Sequence, residues 1–118
     1  MRAYFAYDEG RIEELGETTK EQVLSLIEQA EASLAKDKQF GVGFYRTERD
    51  FFEVRPVGES QYILWSDLIA DSGNRGFVAR FLRSKTHIEK IVDGRVLAAA
   101  AAYDYFECSR EEFERKYG

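Results

Sequence analysis

Two periodicities alternate along this chain, and they divide it into elements. Residues 2–7 place Ala3, Phe5 and Tyr7 on one side of an extended backbone and Tyr4 and Ala6 on the other. Apolar side chains on both faces mark a strand inside a sheet. After the turn chemistry of Asp8-Glu9-Gly10 the spacing lengthens: Val23, Ile27, Ala30 and Leu34 recur at three or four residues, with Leu24 and Leu26 widening the stripe. Thr18 and Glu21 stand at capping-box spacing. Glu21 in the first turn, with Lys36 and Lys38 near the end, suits the helix dipole. The pattern predicts an amphipathic helix over 19–36.

Period two then returns. Phe40, Val42 and Phe44 alternate with Gly41, Gly43 and Tyr45, and Phe52, Val54 and Pro56 alternate with Phe51, Glu53 and Arg55. Tyr62-Ile63-Leu64-Trp65 forms a further apolar segment. The polar breaks Thr47–Asp50 and Gly58–Ser60 have hairpin length, so these strands form an antiparallel meander. Pro56 has no N–H for a ladder, which places a strand end or an edge there. Residues 66–76 read as a loop.

The last third carries competing signals. Phe77–Leu82 fits helix or strand equally. Ile88, Ile91 and Val92 have helical spacing, with Gly94 at the C′ position, yet Asp93-Gly94 is also a hairpin signal. Five alanines, Ala98 to Ala102, favour helix strongly, and Val96, Ala99, Tyr103 and Phe106 share a helical face. Helices on both sides of Asp93-Gly94 are therefore expected. Ser109 and Glu112 form a second capping box, with Cys108 and Phe113 at staple positions, ahead of a short final helix. The expected architecture is α+β in one domain spanning 1–118. A small antiparallel sheet of about four strands, starting β-α-β-β-β, is packed by the N-terminal amphipathic helix and by C-terminal helices.

Composition narrows the function classes. The chain has 118 residues, 44% of them hydrophobic, with nine Phe, seven Tyr and one Trp, enough apolar surface to build a core. No apolar run reaches the roughly 20 residues of a membrane helix, and the N-terminus lacks the form of a secretory signal. With one Cys and one His, no disulfide framework or multi-cysteine zinc site can be built, and no metal or cofactor is expected. A cytoplasmic setting fits these counts. The net charge of −5 argues against direct nucleic-acid binding. That average conceals a polarity: residues 75–95 hold six basic side chains against two acidic ones, so they carry +4 and the remainder −9.

Candidate chemistry is sparse. Gly41-Val42-Gly43 lies inside an alternating strand with no helix after it, so it is no phosphate loop, and its small residues would let a helix or a partner backbone approach closely. As a general base His87 would need an orienting carboxylate, and Glu89 points elsewhere on a helix, so it reads as a surface or capping residue. Cys108 sits among acidic neighbours that disfavour a thiolate, and its staple position accounts for it. Asp50 and Glu53 lie near a tight turn without fixed geometry for a hydrolytic pair. No catalytic set emerges.

Two features remain. Tyr45, Phe51, Tyr62, Trp65, Tyr103 and Tyr105 are more aromatic residues than one face of a small sheet can bury, and Tyr and Trp serve well at interfaces. Acidic residues interleave with them. The expected partner-binding set is Tyr45, Glu48, Asp50, Glu53, Trp65, Asp67 and Asp71, facing a basic protein. The second feature is Asn74-Arg75-Gly76 followed by Arg80, Arg83 and Lys85, which as an alternative would hold an anionic ligand by forked hydrogen bonds in a small-molecule-binding domain or an enzyme, with His87 assisting.

In size, charge and aromatic content the chain is similar to bacterial immunity proteins, which neutralise a toxin by covering its active site. That resemblance implies a cytosolic inhibitor of a basic toxin, often a nuclease, whose phosphate-attracting site an acidic surface can mimic. A homodimeric structural or chaperone-like domain would instead show a symmetric apolar patch.

Overall fold

The computed structural model describes residues 1–7, 10–33, 39–58, 60–68 and 87–118. In chain order the elements are β1 (Arg2–Tyr7), β2 (Ile12–Glu17), a 3₁₀ turn (Lys20–Gln22), α1 (Val23–Ser33), β3 (Gln39–Thr47), β4 (Asp50–Pro56), β5 (Gln61–Leu68), β6 (Ile88–Asp93), α2 (Arg95–Glu107) and α3 (Arg110–Tyr117). The strands form one sheet in the order β2-β1-β3-β4-β5-β6, antiparallel throughout. The α+β class holds. The described sheet has six strands rather than about four, and the chain begins β-β-α rather than β-α-β.

Both additional strands lie at the rims of the sheet. β2 carries only Ile12 and Leu15 as large apolar residues and buries none of its side chains, so it has no alternation to read. It bulges against β1 between Ala3 and Tyr4. β6 occupies the segment expected as helix. Its Ile88 is buried, while Ile91 points outward and is exposed, so the helical spacing of Ile88, Ile91 and Val92 is fortuitous. Gly94 neither ends a helix nor turns a hairpin. With φ of 95° it joins β6 directly to α2, a conformation in which a Cβ would be strained.

One face of the sheet meets the helices. Phe5, Val42, Phe44, Phe52, Val54, Leu64 and Ile88 pack there against Val23, Ile27 and Ala30 of α1, Ala98, Ala101, Ala102 and Tyr105 of α2, and Phe113 of α3. The alanine run lets α2 lie close to the strands and to α1. Of the expected face of α2, Ala99 is buried and Tyr103 and Phe106 pack against the core, while Val96 is 78% exposed. Cys108 packs against the core edge, and Ser109 and Glu112 form their reciprocal cap, with Ser109 Oγ accepting from Glu112 N at 3.2 Å. At the first helix the cap sits one residue later than expected, for Gln22 Oε1 accepts from Thr19 N at 3.1 Å. Leu34, Lys36 and Lys38 lie outside the described residues, as does the 77–82 segment.

A buried polar cluster ties the C-terminal helices to the sheet. Tyr105 Oη donates to the Asp50 carbonyl at 2.7 Å and to Asp50 Oδ1 at 2.8 Å. Arg110 Nη1 reaches Asp50 Oδ1 at 3.2 Å and Ser66 Oγ at 2.7 Å. Ser66 in turn donates to the Phe51 carbonyl, and Arg46 donates to the carbonyls of Tyr105 and Cys108 at the end of α2. Buried charges are tolerable because each is hydrogen-bonded on several sides.

Candidate functional site

On the opposite face of the sheet no described helix is packed, and the alternation that built the core delivers a second set of side chains there. Strand register puts Glu14, Tyr4, Gly43, Glu53, Trp65 and Glu89 in one row across all six strands. The next row runs Arg2, Tyr45, Phe51 and Asp67. An open depression of about 410 Å³ lies over these rows, and Tyr4, Ile12, Glu14, Tyr45, Glu48, Phe51, Glu53 and Trp65 contribute to its lining.

Gly43 is what lets the floor form. Tyr4 crosses over it, so close that a Cβ built on Gly43 would stand 2.0 Å from the ring. The glycine thus admits a side chain of the neighbouring strand, where the sequence suggested the approach of a helix or a partner backbone. Lying flat, Tyr4 donates its hydroxyl to Glu53 Oε1 at 2.5 Å. Burial, reinforced by the charge of Glu53, pushes the Tyr4 phenol far above its ordinary value of 10, so it remains a donor throughout the physiological range. Glu53 Oε2 is held by Arg55 at 2.7 Å, and the Arg55 guanidinium lies 4.4 Å above the Trp65 ring.

The walls are aromatic. Phe51 stands edge-on to Trp65 with ring centroids 5.0 Å apart, and Tyr45 tilts against Tyr4 at 6.0 Å. At the rim, Arg2 pairs with Glu14 at 3.2 Å and donates to Tyr45 Oη at 2.9 Å, while Tyr45 donates to Glu14 at 2.8 Å. Glu48, in the β3–β4 turn, is exposed and has no ion-pair partner among the described residues.

The expected partner-binding set is therefore divided. Tyr45, Glu48, Glu53 and Trp65 converge on the depression. Asp50 leaves the set, because it points to the helical face and is 7% exposed, its carboxylate taken by Tyr105 and Arg110. Glu53 is 5% exposed and Asp67 2%, so both act within the fold rather than as charges presented to a partner. Asp71 lies outside the described residues, as do Arg75, Arg80, Arg83 and Lys85 of the alternative anion site. Tyr62 and Tyr105 are core residues, whereas Tyr45, Phe51, Trp65 and Tyr103 are partly exposed.

Several lining residues were not singled out by sequence reasoning. Tyr4 escaped because its meaning lies in a cross-strand pairing with Gly43, 39 positions onward. Ile12 and Glu14 escaped with their strand. An alternating strand whose second face carries Tyr, Glu and Trp was the available signal. His87 also proves to have an orienting carboxylate, supplied by the neighbouring strand: Nδ1 is 3.6 Å from Asp67 Oδ2, and the imidazole abuts Trp65.

Among the described residues no group of three or more His, Cys, Asp or Glu side chains is arranged to hold a metal ion, and no helix is long and apolar enough to cross a membrane. The arrangement offers recognition chemistry: apolar area, rigid rings, phenolic tips and carboxylates. No family model, no curated protein and no solved structure matches this chain.

Proposed function

We propose that this chain is a small protein-binding domain, of the immunity or inhibitor kind, that captures a basic protein on the open face of its sheet and blocks that partner's active site. The observation that carries the reading is the aromatic depression with Glu48 at its rim. Rigid rings that give contact area at little entropic cost, bordered by carboxylates, are the composition of a protein-recognition hot spot. A partner whose own site attracts anions, as a nuclease's does, would complement a surface of net negative charge. The bonded scaffold of Tyr4, Glu53, Arg55 and Trp65 pre-organises the face, which lowers the ordering cost of association. One buried-edge cysteine and no disulfide are compatible with work in the reducing cytosol.

The test is capture from the native cells by the tagged protein, with Trp65→Ala and Glu48→Lys run in parallel at low and moderate salt. The expected result is a stoichiometric basic protein that wild type retains at low salt. Loss of Trp65 should weaken capture by about 2 kcal/mol, roughly thirtyfold, and Glu48→Lys should slow association and reduce its salt dependence. A partner held equally by both variants, or no basic partner at all, would remove this face from consideration.

A further inference from the structure

The depression on the sheet has a charge balance that specifies what enters it. Among the described residues three carboxylates line it, and two are already matched. Glu14 is neutralised by Arg2 at 3.2 Å and Glu53 by Arg55 at 2.7 Å. Glu48 has no ion-pair partner among the described residues, so the lining carries one uncompensated negative charge. Around it stand the rings of Tyr45, Phe51 and Trp65, whose faces attract cations. The protein itself shows that this wall accepts such a group, for the Arg55 guanidinium rests 4.4 Å from the centre of the Trp65 ring. At about 410 Å³ the space falls in the range of ligand pockets and exceeds what one long side chain fills.

We infer that the depression is a receptor for a single cationic side chain, the guanidinium of Arg or the ammonium of Lys, presented by the partner protein. Glu48 is the charge partner, and Tyr45, Phe51 and Trp65 flank the aliphatic stem. An anion is opposed by the charge balance, and a neutral apolar side chain would leave Glu48 facing a site stripped of water. The pocket chemistry rests on its own geometry, while the source of the side chain rests on the binding reading above.

The experiment titrates the isolated domain with n-butylguanidinium and with its neutral isostere n-butylurea. Because Trp65 is the only tryptophan, its fluorescence reports directly from the pocket wall. Saturable binding of butylguanidinium in the low millimolar range is expected for so small a probe, with butylurea at least tenfold weaker. Glu48→Gln, an exposed turn substitution that spares the fold, should weaken butylguanidinium about tenfold and leave butylurea unchanged. The capped peptide acetyl-Gly-Arg-Gly-amide should bind as butylguanidinium does, since the backbone of a partner stays outside.

Equal affinity for the two isosteres, or indifference to Glu48→Gln, overturns the inference. Preference for tetramethylammonium over the Arg peptide overturns the side-chain source. The two readings fail separately. Partner capture that depends on Trp65, without butylguanidinium binding, sinks the cation pocket alone. Butylguanidinium binding in a domain whose partner ignores this face sinks the proposed function alone.

Discussion

Replacing Gly43 with alanine tests the packing that underlies the open face. The new methyl group would fall 2.0–2.4 Å from Cζ, Cε1 and Oη of Tyr4, well inside van der Waals contact. Those atoms are the far end of a side chain, so the ring is expected to swing outward while the strand stays in register. Leaving its seat costs the phenol its bond to Glu53 Oε1, a charge-assisted hydrogen bond worth about 1.5–3 kcal/mol. Re-exposing part of a buried ring costs about 1–2 kcal/mol more. Against these stands a gain of about 0.5–1 kcal/mol from placing Ala where Gly was. The net is a destabilisation of about 2–4 kcal/mol, a large fraction of the 5–15 kcal/mol typical of a domain. Urea denaturation should show a lower midpoint with unchanged slope, and the melting temperature should fall by about 4 °C per kcal/mol. A double-mutant cycle supplies the stricter check. In a Tyr4→Ala background the ring is gone, so Gly43→Ala should change sign and stabilise by about 0.5–1 kcal/mol. A neutral effect of Gly43→Ala in wild type, or the same loss in both backgrounds, would refute the cross-strand seat.

Two further perturbations address the other face and the pH response. Arg110→Ala removes the nearer of two charge partners of Asp50, leaving Arg46 at 3.7 Å, and should cost about 2–3 kcal/mol, whereas Tyr105→Phe removes one donor and should cost about 1–2 kcal/mol, both read as shifts in the urea midpoint; equal, negligible effects would show the cluster to be ornamental. Glu31 is held below the ordinary glutamate value of 4.5 by the Tyr62 hydroxyl and then by Arg95. A depressed carboxylate contributes stability that is complete above the unfolded value and lost as pH falls through the folded one. Acidification from pH 6 to 3 should therefore lower the urea midpoint of wild type more than that of Glu31→Gln, and identical losses would contradict the assignment.

The elements that could be read from the chain are those whose periodicity is enforced by burial. Val23, Ile27 and Ala30 repeat helically because all three touch the core, and Val42, Phe44, Phe52 and Val54 alternate because one side of each strand is covered by helix. Ser109 and Glu112 were legible because a cap is a local bargain between residues three apart. The rim strands were not. β2 gains its strand state from pairing with β1, and none of its side chains needs burial. β6 buries Ile88 alone, so a chance spacing of Ile91 and Val92 outweighed the true period. The exposure of Val96 at the start of α2 has the same origin: a run of alanines fits a crowded interface on almost any side, and the sheet, not the pattern, chooses which.

The acidic residues show the same limit from the electrostatic side. Asp50, Glu48 and Glu53 lie within six positions, and nothing in the sequence separates a presented charge from a structural one. Three-dimensional neighbours do. Asp50 faces Tyr105 and Arg110, 55 and 60 residues onward, and Glu53 faces Tyr4, 49 residues back. A carboxylate that already accepts a phenol and a guanidinium has little left to offer a partner, because withdrawing it would strand a buried charge. Glu48 sits in the β3–β4 turn, and among the described residues no such donors reach it. The acidity that first pointed to a basic partner therefore concentrates, at this site, into one carboxylate beside three rings. Recognition by this face should accordingly depend far more on Glu48 and Trp65 than on Asp50 or Asp67, whose substitution would act through folding.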